Sequence, residues 1–331
     1  MKVIDIYTHI FPDAFYEAFT KAAPRLGPIG ARLRGVKPIY DLDHRFREMD
    51  EAGEGYCQIL SLPNPPMEDV APRETISDLC RIANDSMAEL CRKHPDRFPA
   101  FAAAINLADP QEGVKEGRRA VKDLGARGWQ IFTNVAGRPL DHADFEPVFA
   151  MAAELDLPLW MHPARTAADM PDYKSEAKSR YEMWWCFGWP YETSVAMCRL
   201  VFWGLFDRYP ALKIVTHHCG GFIPFYDGRV GPGLEVLGSR TPDEDYSKVL
   251  PSLKRPHLDY FKSFYGDTAM FGGTSWFGTG YDFFGAEHIV FATDAPLGPI
   301  KSTIDALRGQ GISATELDKI LCGNAKRLLK L

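Results

Sequence analysis

Apolar runs of five to eight residues alternate along the chain with stretches in which apolar positions recur every three or four residues. The runs 2–8, 56–62, 98–105, 128–132, 158–162, 213–217, 262–266 and 288–293 carry few interior charges, as strands buried on both faces require. Between them the helical period predicts helices over 41–53, 73–94, 110–124, 144–156, 192–209 and 300–309. Asp41 and Gly53 bracket the first, His94-Pro95 stops the second, and Pro110 and Gly125 bound the third. Eight strands with helices between them predict an α/β fold closed as a (β/α)8 TIM barrel, and 331 residues suit one such domain. No repeat, low-complexity tract or linker divides it.

Two connections are longer than closure needs, 11–40 after the first strand and 163–191 after the fifth. Loops at strand C-termini are where a barrel builds its site. The second holds Tyr181, Trp184, Trp185, Trp189 and Tyr191, which either wall a pocket for a flat substrate or only anchor the loop.

A composition of 46% hydrophobic and 25% charged residues lets the chain bury a sizeable core. The net charge of -6 comes without a basic run, which argues against nucleic acid and anionic membranes as partners and favours small molecules. Seven cysteines without a paired short spacing read as reduced thiols of a cytoplasmic protein. The N-terminal run is too short and polar for a signal peptide, and no later segment is apolar for long enough to span a bilayer.

Chemistry gathers where strands end. In "VIDIYTHIFP" alternation puts Asp5, Tyr7 and His9 on one face and Ile4, Ile6 and Thr8 on the other. His162 ends the fifth strand, His217 and His218 the sixth, and Asp294 the eighth. A lone histidine or aspartate has an ordinary explanation, and His44, His94, His142, His257 and His288 are read as turn or helix-flank residues. Polar groups ending four strands of one barrel are costly unless they bind something, so a metal site is preferred to a hydrogen-bonded cluster. Imidazole and carboxylate suit one divalent ion, zinc first, with manganese or iron also compatible. Two histidines and one aspartate would leave coordination open for water or substrate.

"DIYTHI", "WMHP", "GWPYETSVAMCRLVFWGLFDRYPALKIVTHHCGGFIPF", "FATDAPLG" and "CGNAKRLL" together resemble the amidohydrolase superfamily, and within it the aminocarboxymuconate-semialdehyde decarboxylase-like branch. The resemblance runs from the first strand to the last helix. It implies a metal held by His9, His162 and Asp294, with position 7 as a fourth ligand, and His218 of the H-x-G-G motif as general acid/base. His217, sent to the opposite side by alternation, is expected to be a structural neighbour. "WQIFTN" lacks the lysine or glutamate of binuclear members, so one metal is expected. Arg229 matches an arginine that reaches a neighbouring subunit's substrate carboxylate, implying a homodimer; Arg165 and, more weakly, Arg45 or Arg47 are candidates for the same contact, and Trp189 for the substrate wall. Cys219 adjoins His218 but is read as a buried thiol, not a nucleophile.

The family has histidine or glutamate where this chain has Tyr7. Tyr7 is a phenolate ligand, a neutral hydrogen-bonding group, or the mark of lost metal; the second reading is preferred because three ligands suffice. Asp5 is then expected behind the ligands. The expected activity is metal-dependent, non-oxidative decarboxylation of a small aromatic or unsaturated carboxylic acid, with Asp294 and Tyr7 beside His218 in the chemistry. The alternatives are a hydrolase or hydratase using metal-bound water, and a barrel that binds a small acid without turnover.

Overall fold

Parallel pairing begins with β1 (Val3–His9), which lies against β2 (Tyr56–Ser61), and β2 against β3 (Ala100–Phe101). A second run of strands contains β4 (Ala103–Ala104), β5 (Trp129–Phe132), then, after a hairpin of β6 (Asn134–Val135) and β7 (Arg138–Pro139), β8 (Leu159–His162), β9 (Ile214–Thr216), β10 (Tyr265–Asp267) and β11 (Ile289–Val290). Apart from the antiparallel hairpin every pairing is parallel. The structure, a computed structural model, describes residues 2–24, 30, 33–166, 170–240 and 244–331.

Two seams close the sheet. The amide of Ala102 donates to Leu60 (2.8 Å) and that of Ala103 to Gly128 (2.8 Å), so β3 and β4 act as one stave. On the other side Ile6 donates to Phe291 (3.0 Å), Asp294 to Tyr7 (3.1 Å) and His9 to Ala295 (2.7 Å). Eight staves result, and the fold is the expected TIM barrel.

Helices cover the outside: α1 (Asp13–Ala22), α2 (Leu42–Ala52), α3 (Ile76–Lys93), α4 (Pro110–Leu124), α5 (Glu146–Leu155), α6 (Gly188–Phe202), α7 (Leu205–Arg208), α8 (Ser275–Phe284) and α9 (Ile300–Arg308). Asp41 and Asp109 cap α2 and α4 by accepting the amides of His44 and Glu112. The helix expected over 192–209 starts earlier and breaks at Gly204, whose φ of +72° ends α6 and starts α7. The strands expected over 262–266 and 288–293 are shorter, and the first is shifted to Tyr265–Asp267 because a helical turn occupies His257–Phe261. The connection expected over 11–40 contains α1; 25–29, 31–32 and 167–169 of the two long connections lie outside the described residues. Among the described residues no helix is long and apolar enough to cross a membrane.

The buried apolar residues form two clusters that give each strand its phase. Leu159, Met161, Ile214, Ile289 and Phe291 pack outward among the helices. Trp160, Val215, Val290 and Ala292 fill the barrel with Ile4, Cys57 and Ile59, and Ala325, Leu328 and Leu329 of the last helix pack into the same cluster. β1 departs from simple alternation. Asp5 is opposite Gln58 but Thr8 is opposite Leu60, so three steps along β1 match two along β2. This bulge puts both Ile6 and Tyr7 in the interior cluster.

Asp5 therefore does not share a face with Tyr7 and His9, as alternation led us to expect. It accepts from Tyr56 Oη (2.6 Å) and from the Thr293 hydroxyl (2.5 Å) and amide (3.1 Å). Gln58 links Tyr56 onward to Arg45, whose guanidinium also donates to the carbonyl of His9 (2.6 Å). Arg45, 1% exposed, is thus a buried clamp between α2 and β1 and not a substrate contact.

Candidate metal centre

Two residues beyond three of the interior apolar side chains the chain carries a polar one: Trp160 leads to His162, Val215 to His217 and Ala292 to Asp294. The bulge in β1 adds Tyr7 and His9 to the group. One donor atom from each of His9, His162, His217 and Asp294 falls within 4.8 Å of the others. His9 Nε2 is 3.1 Å and His217 Nε2 3.4 Å from Asp294 Oδ1.

The outer nitrogens of the imidazoles are engaged by the protein. His9 Nδ1 meets the Leu62 carbonyl (3.0 Å), His162 Nδ1 the Pro163 carbonyl (2.8 Å), and His217 Nδ1 the Asp267 carboxylate (2.5 Å). A proton on Nδ1 fixes the tautomer and turns Nε2 inward. Tyr7 Oη, His9 Nε2, His217 Nε2, His218 Nδ1 and Asp294 Oδ1 are buried without a hydrogen-bond partner. Each such atom costs about 1–3 kcal/mol, so five in one place call for an occupant. A divalent ion fits this donor set of imidazole nitrogens and a carboxylate oxygen.

Burial, then the charges of His217 and His9, hold His162 well below the usual histidine range. Burial opposes charge on His217 too, but Asp267 and Asp294 outweigh it and raise it to about 9. For Asp294 burial is overcome by His217 and His9, which keep it ionised well below the usual carboxylate range. Burial, Asp267 and Asp294 push the Tyr7 phenol well above its ordinary value.

Alternation was expected to separate His217 from His218. Instead their rings lie 3.9 Å apart. β9 ends at Thr216, and residues 218–221 all adopt left-handed backbone, with φ of 54°, 53°, 74° and 64°. The turn brings His218 back over the mouth while His217 keeps the interior phase of Val215. Asp294, at φ 66°, shares this strained conformation, which costs of order 1–3 kcal/mol per non-glycine residue and concentrates at functional sites. Gly221 is required on steric grounds, since a Cβ there would meet the Pro190 carbonyl at 2.4 Å. Burial, then His217, lowers His218 to about 3, so it is neutral at pH 7.

Trp189 reaches the same place. Its ring stacks at 6.2 Å over His218 and meets His162 edge-on at 5.5 Å. Trp184 and Trp185 pack against it, whereas Tyr181 and Tyr191 face outward. Arg165 ion-pairs with Glu192 at 3.2 Å in a cavity of about 620 Å³ shared with Glu68, Thr133 and Asn134. Arg229 is exposed and lines a surface hollow with Tyr191, Phe222 and Arg240. The five histidines read as structural stay outside the group, and Cys219 is a buried free thiol. Asp267 was missed because the strand carrying it was expected to end at 266; an acid one step further is the signal that was available.

Fold and site together define a TIM barrel built around a divalent-metal centre. The model of the amidohydrolase family matches residues 4–331, and the chain belongs to that family. It is 34% identical over 304 residues to gamma-resorcylate decarboxylase of Polaromonas sp. strain JS666, covering 87% of each chain. Its structure superimposes on the dihydroxybenzoic acid decarboxylase from Polaromonas sp. JS666, solved with manganese and the inhibitor 2-nitroresorcinol, with TM-score 0.78, 29% identity and coverage of 100% and 97%. The 5-carboxyvanillate decarboxylase of Sphingomonas paucimobilis gives TM-score 0.83 at 25% identity, covering 100% and 99%.

Proposed function

We propose that the protein is a carboxy-lyase: a divalent-metal-dependent, non-oxidative decarboxylase of a small aromatic carboxylic acid with a hydroxyl beside the carboxylate. The observation that carries this reading is the set of five partnerless polar atoms at a buried barrel mouth roofed by Trp189. The relatives, each named as an aromatic-acid decarboxylase, support it.

His9, His162 and Asp294 hold the ion. Zinc suits them, and so does the manganese named with the Polaromonas structure; both belong to this proposal. A bound ion would polarise the substrate's carboxylate and hydroxyl oxygens and stabilise charge on them. Trp189 packs on the ring face and Arg165 helps to orient the acid. The Tyr7 hydroxyl donates to a substrate oxygen. His218, neutral before substrate arrives, accepts the phenolic proton and returns a proton to the ring carbon that bears the carboxylate. As that C–H bond forms, the C–C bond to the carboxylate breaks; its electron pair restores the aromatic ring and carbon dioxide leaves. A homodimer, with exposed Arg229 reaching the carboxylate across the interface, and a cytoplasmic setting complete the proposal.

The test is carbon dioxide release from a panel of hydroxybenzoates and carboxyvanillate by protein loaded with zinc, manganese or iron and by protein stripped with chelator. Release is expected only with metal. A loaded protein that binds the acids without releasing carbon dioxide would overturn the reading.

A further inference from the structure

We infer that His217, oriented by Asp267, is a fourth protein ligand of the metal, completing a centre of three imidazoles and one carboxylate. The inference rests on the metal-site reading and deepens it. Three observations carry it. His217 lies on the interior phase of β9, directly beyond Val215, so its place in the group follows from the strand and not from the turn. Its donor atom shares the 4.8 Å span that joins His9, His162 and Asp294. And its Nε2 has no hydrogen-bond partner although the side chain is fully buried.

The alternative is that Nε2 carries a proton given to Asp294. A charge-assisted N–H···O bond is about 2.7–2.9 Å long, whereas this separation is 3.4 Å. The two atoms are within ion-pair reach but outside hydrogen-bond geometry, side by side as two ligands of one ion are. Asp267 is built to hold that orientation. One carboxylate oxygen takes His217 Nδ1, and the other accepts the amides of Cys219 (3.1 Å) and Ala269 (3.1 Å). A carboxylate fixed by two backbone amides and bonded to Nδ1 leaves Nε2 as the free donor.

Tyr7 supplies the remaining constraint. Its ring stacks on His217 at 3.9 Å with planes 19° apart, and presents edges to His9 and His162 at 5.7 and 5.8 Å. The phenol ring thus acts as a plate that stops the His217 ring from rotating out of the group, which gives Tyr7 a positioning role.

The experiment is zinc binding to the full chain, read without turnover. X-ray absorption of the zinc-loaded wild type should count three imidazoles. His217→Ala should lose one of them and bind zinc at least about 100-fold more weakly; Asp267→Asn should keep three and weaken binding about 10–100-fold. His218→Asn should bind zinc as the wild type does. Circular dichroism and thermal midpoints of the metal-free variants separate misfolding from ligand loss, and the wild-type imidazole count needs no variant. A count of two in the wild type, with His217→Ala binding zinc normally and His162→Ala not, overturns this inference and leaves the metal site standing. A wild type that takes up no zinc, manganese or iron overturns both.

Discussion

At the closed end of the barrel Ile4, Trp160, Val215 and Val290 share a cluster with Leu328 and Leu329, and at the mouth Tyr7, His9, His162, His217 and Asp294 follow them two to five residues further along the chain. Burial does not distinguish the two regions: Val215 and His217 are both 0% exposed. What differs is satisfaction. The apolar end has nothing left to bond, while the mouth holds five buried polar atoms without hydrogen-bond partners, and three of them belong to residues of the group that could hold an ion, His9, His217 and Asp294. Two residues of strand, about 7 Å, separate a region that stabilises the fold from one that spends stability on chemistry.

Mutations at the two ends should separate along that line. Asp294→Asn should abolish metal binding and lower kcat/KM by at least about 1000-fold, because it removes the anionic donor that two imidazoles approach. Val215→Ala, at the closed end, should cost about 1–3 kcal/mol in denaturant unfolding and leave kcat/KM within a few fold. If the two variants lost activity equally, the division would be wrong.

Tyr7 stands at the border, in the apolar cluster by its ring and among the partnerless atoms by its hydroxyl. Tyr7→Phe should keep the ring, and with it full metal content, but lower kcat by roughly 10–100-fold. Metal loss in this variant would mean that the phenol is itself a ligand.

The smallest effect concerns Glu68, a carboxyl on the wall of the cavity beside Arg165 that accepts the Leu107 amide. Burial raises it from 4.5 to about 7. Between those values the native chain keeps a proton that the unfolded chain releases. The stability this group contributes is therefore full below 4.5 and is lost as pH rises through 7. Glu68→Gln should flatten the fall in thermal midpoint between pH 5 and 8; an unchanged slope would place the titration elsewhere.

Much of the barrel was legible because its strands are short apolar runs, and His9, His162 and Asp294 because each ends one. The face of each residue was not. Ile214, Val215, Thr216 and His217 of "KIVTHH" are all buried, so hydropathy carries no phase, and the motif spacing pointed to His218 without disclosing that His217 faces inward too. The bulge in β1 has no signature in "VIDIYTH", and it moved Asp5 off the face assigned to it. Arg45 and Arg165 were both plausible carboxylate contacts as isolated arginines. Only their surroundings, carbonyls and an amide for one and a cavity for the other, tell them apart.

The most direct test of the central claim is one turnover of 2,6-dihydroxybenzoate by metal-loaded protein in deuterated, oxygen-18 water. The account predicts one equivalent of carbon dioxide and a product with a single deuterium at the vacated ring carbon and no oxygen-18 in its hydroxyl groups. Oxygen-18 in the aromatic product, without carbon dioxide, would contradict it and assign the centre to hydrolysis or hydration.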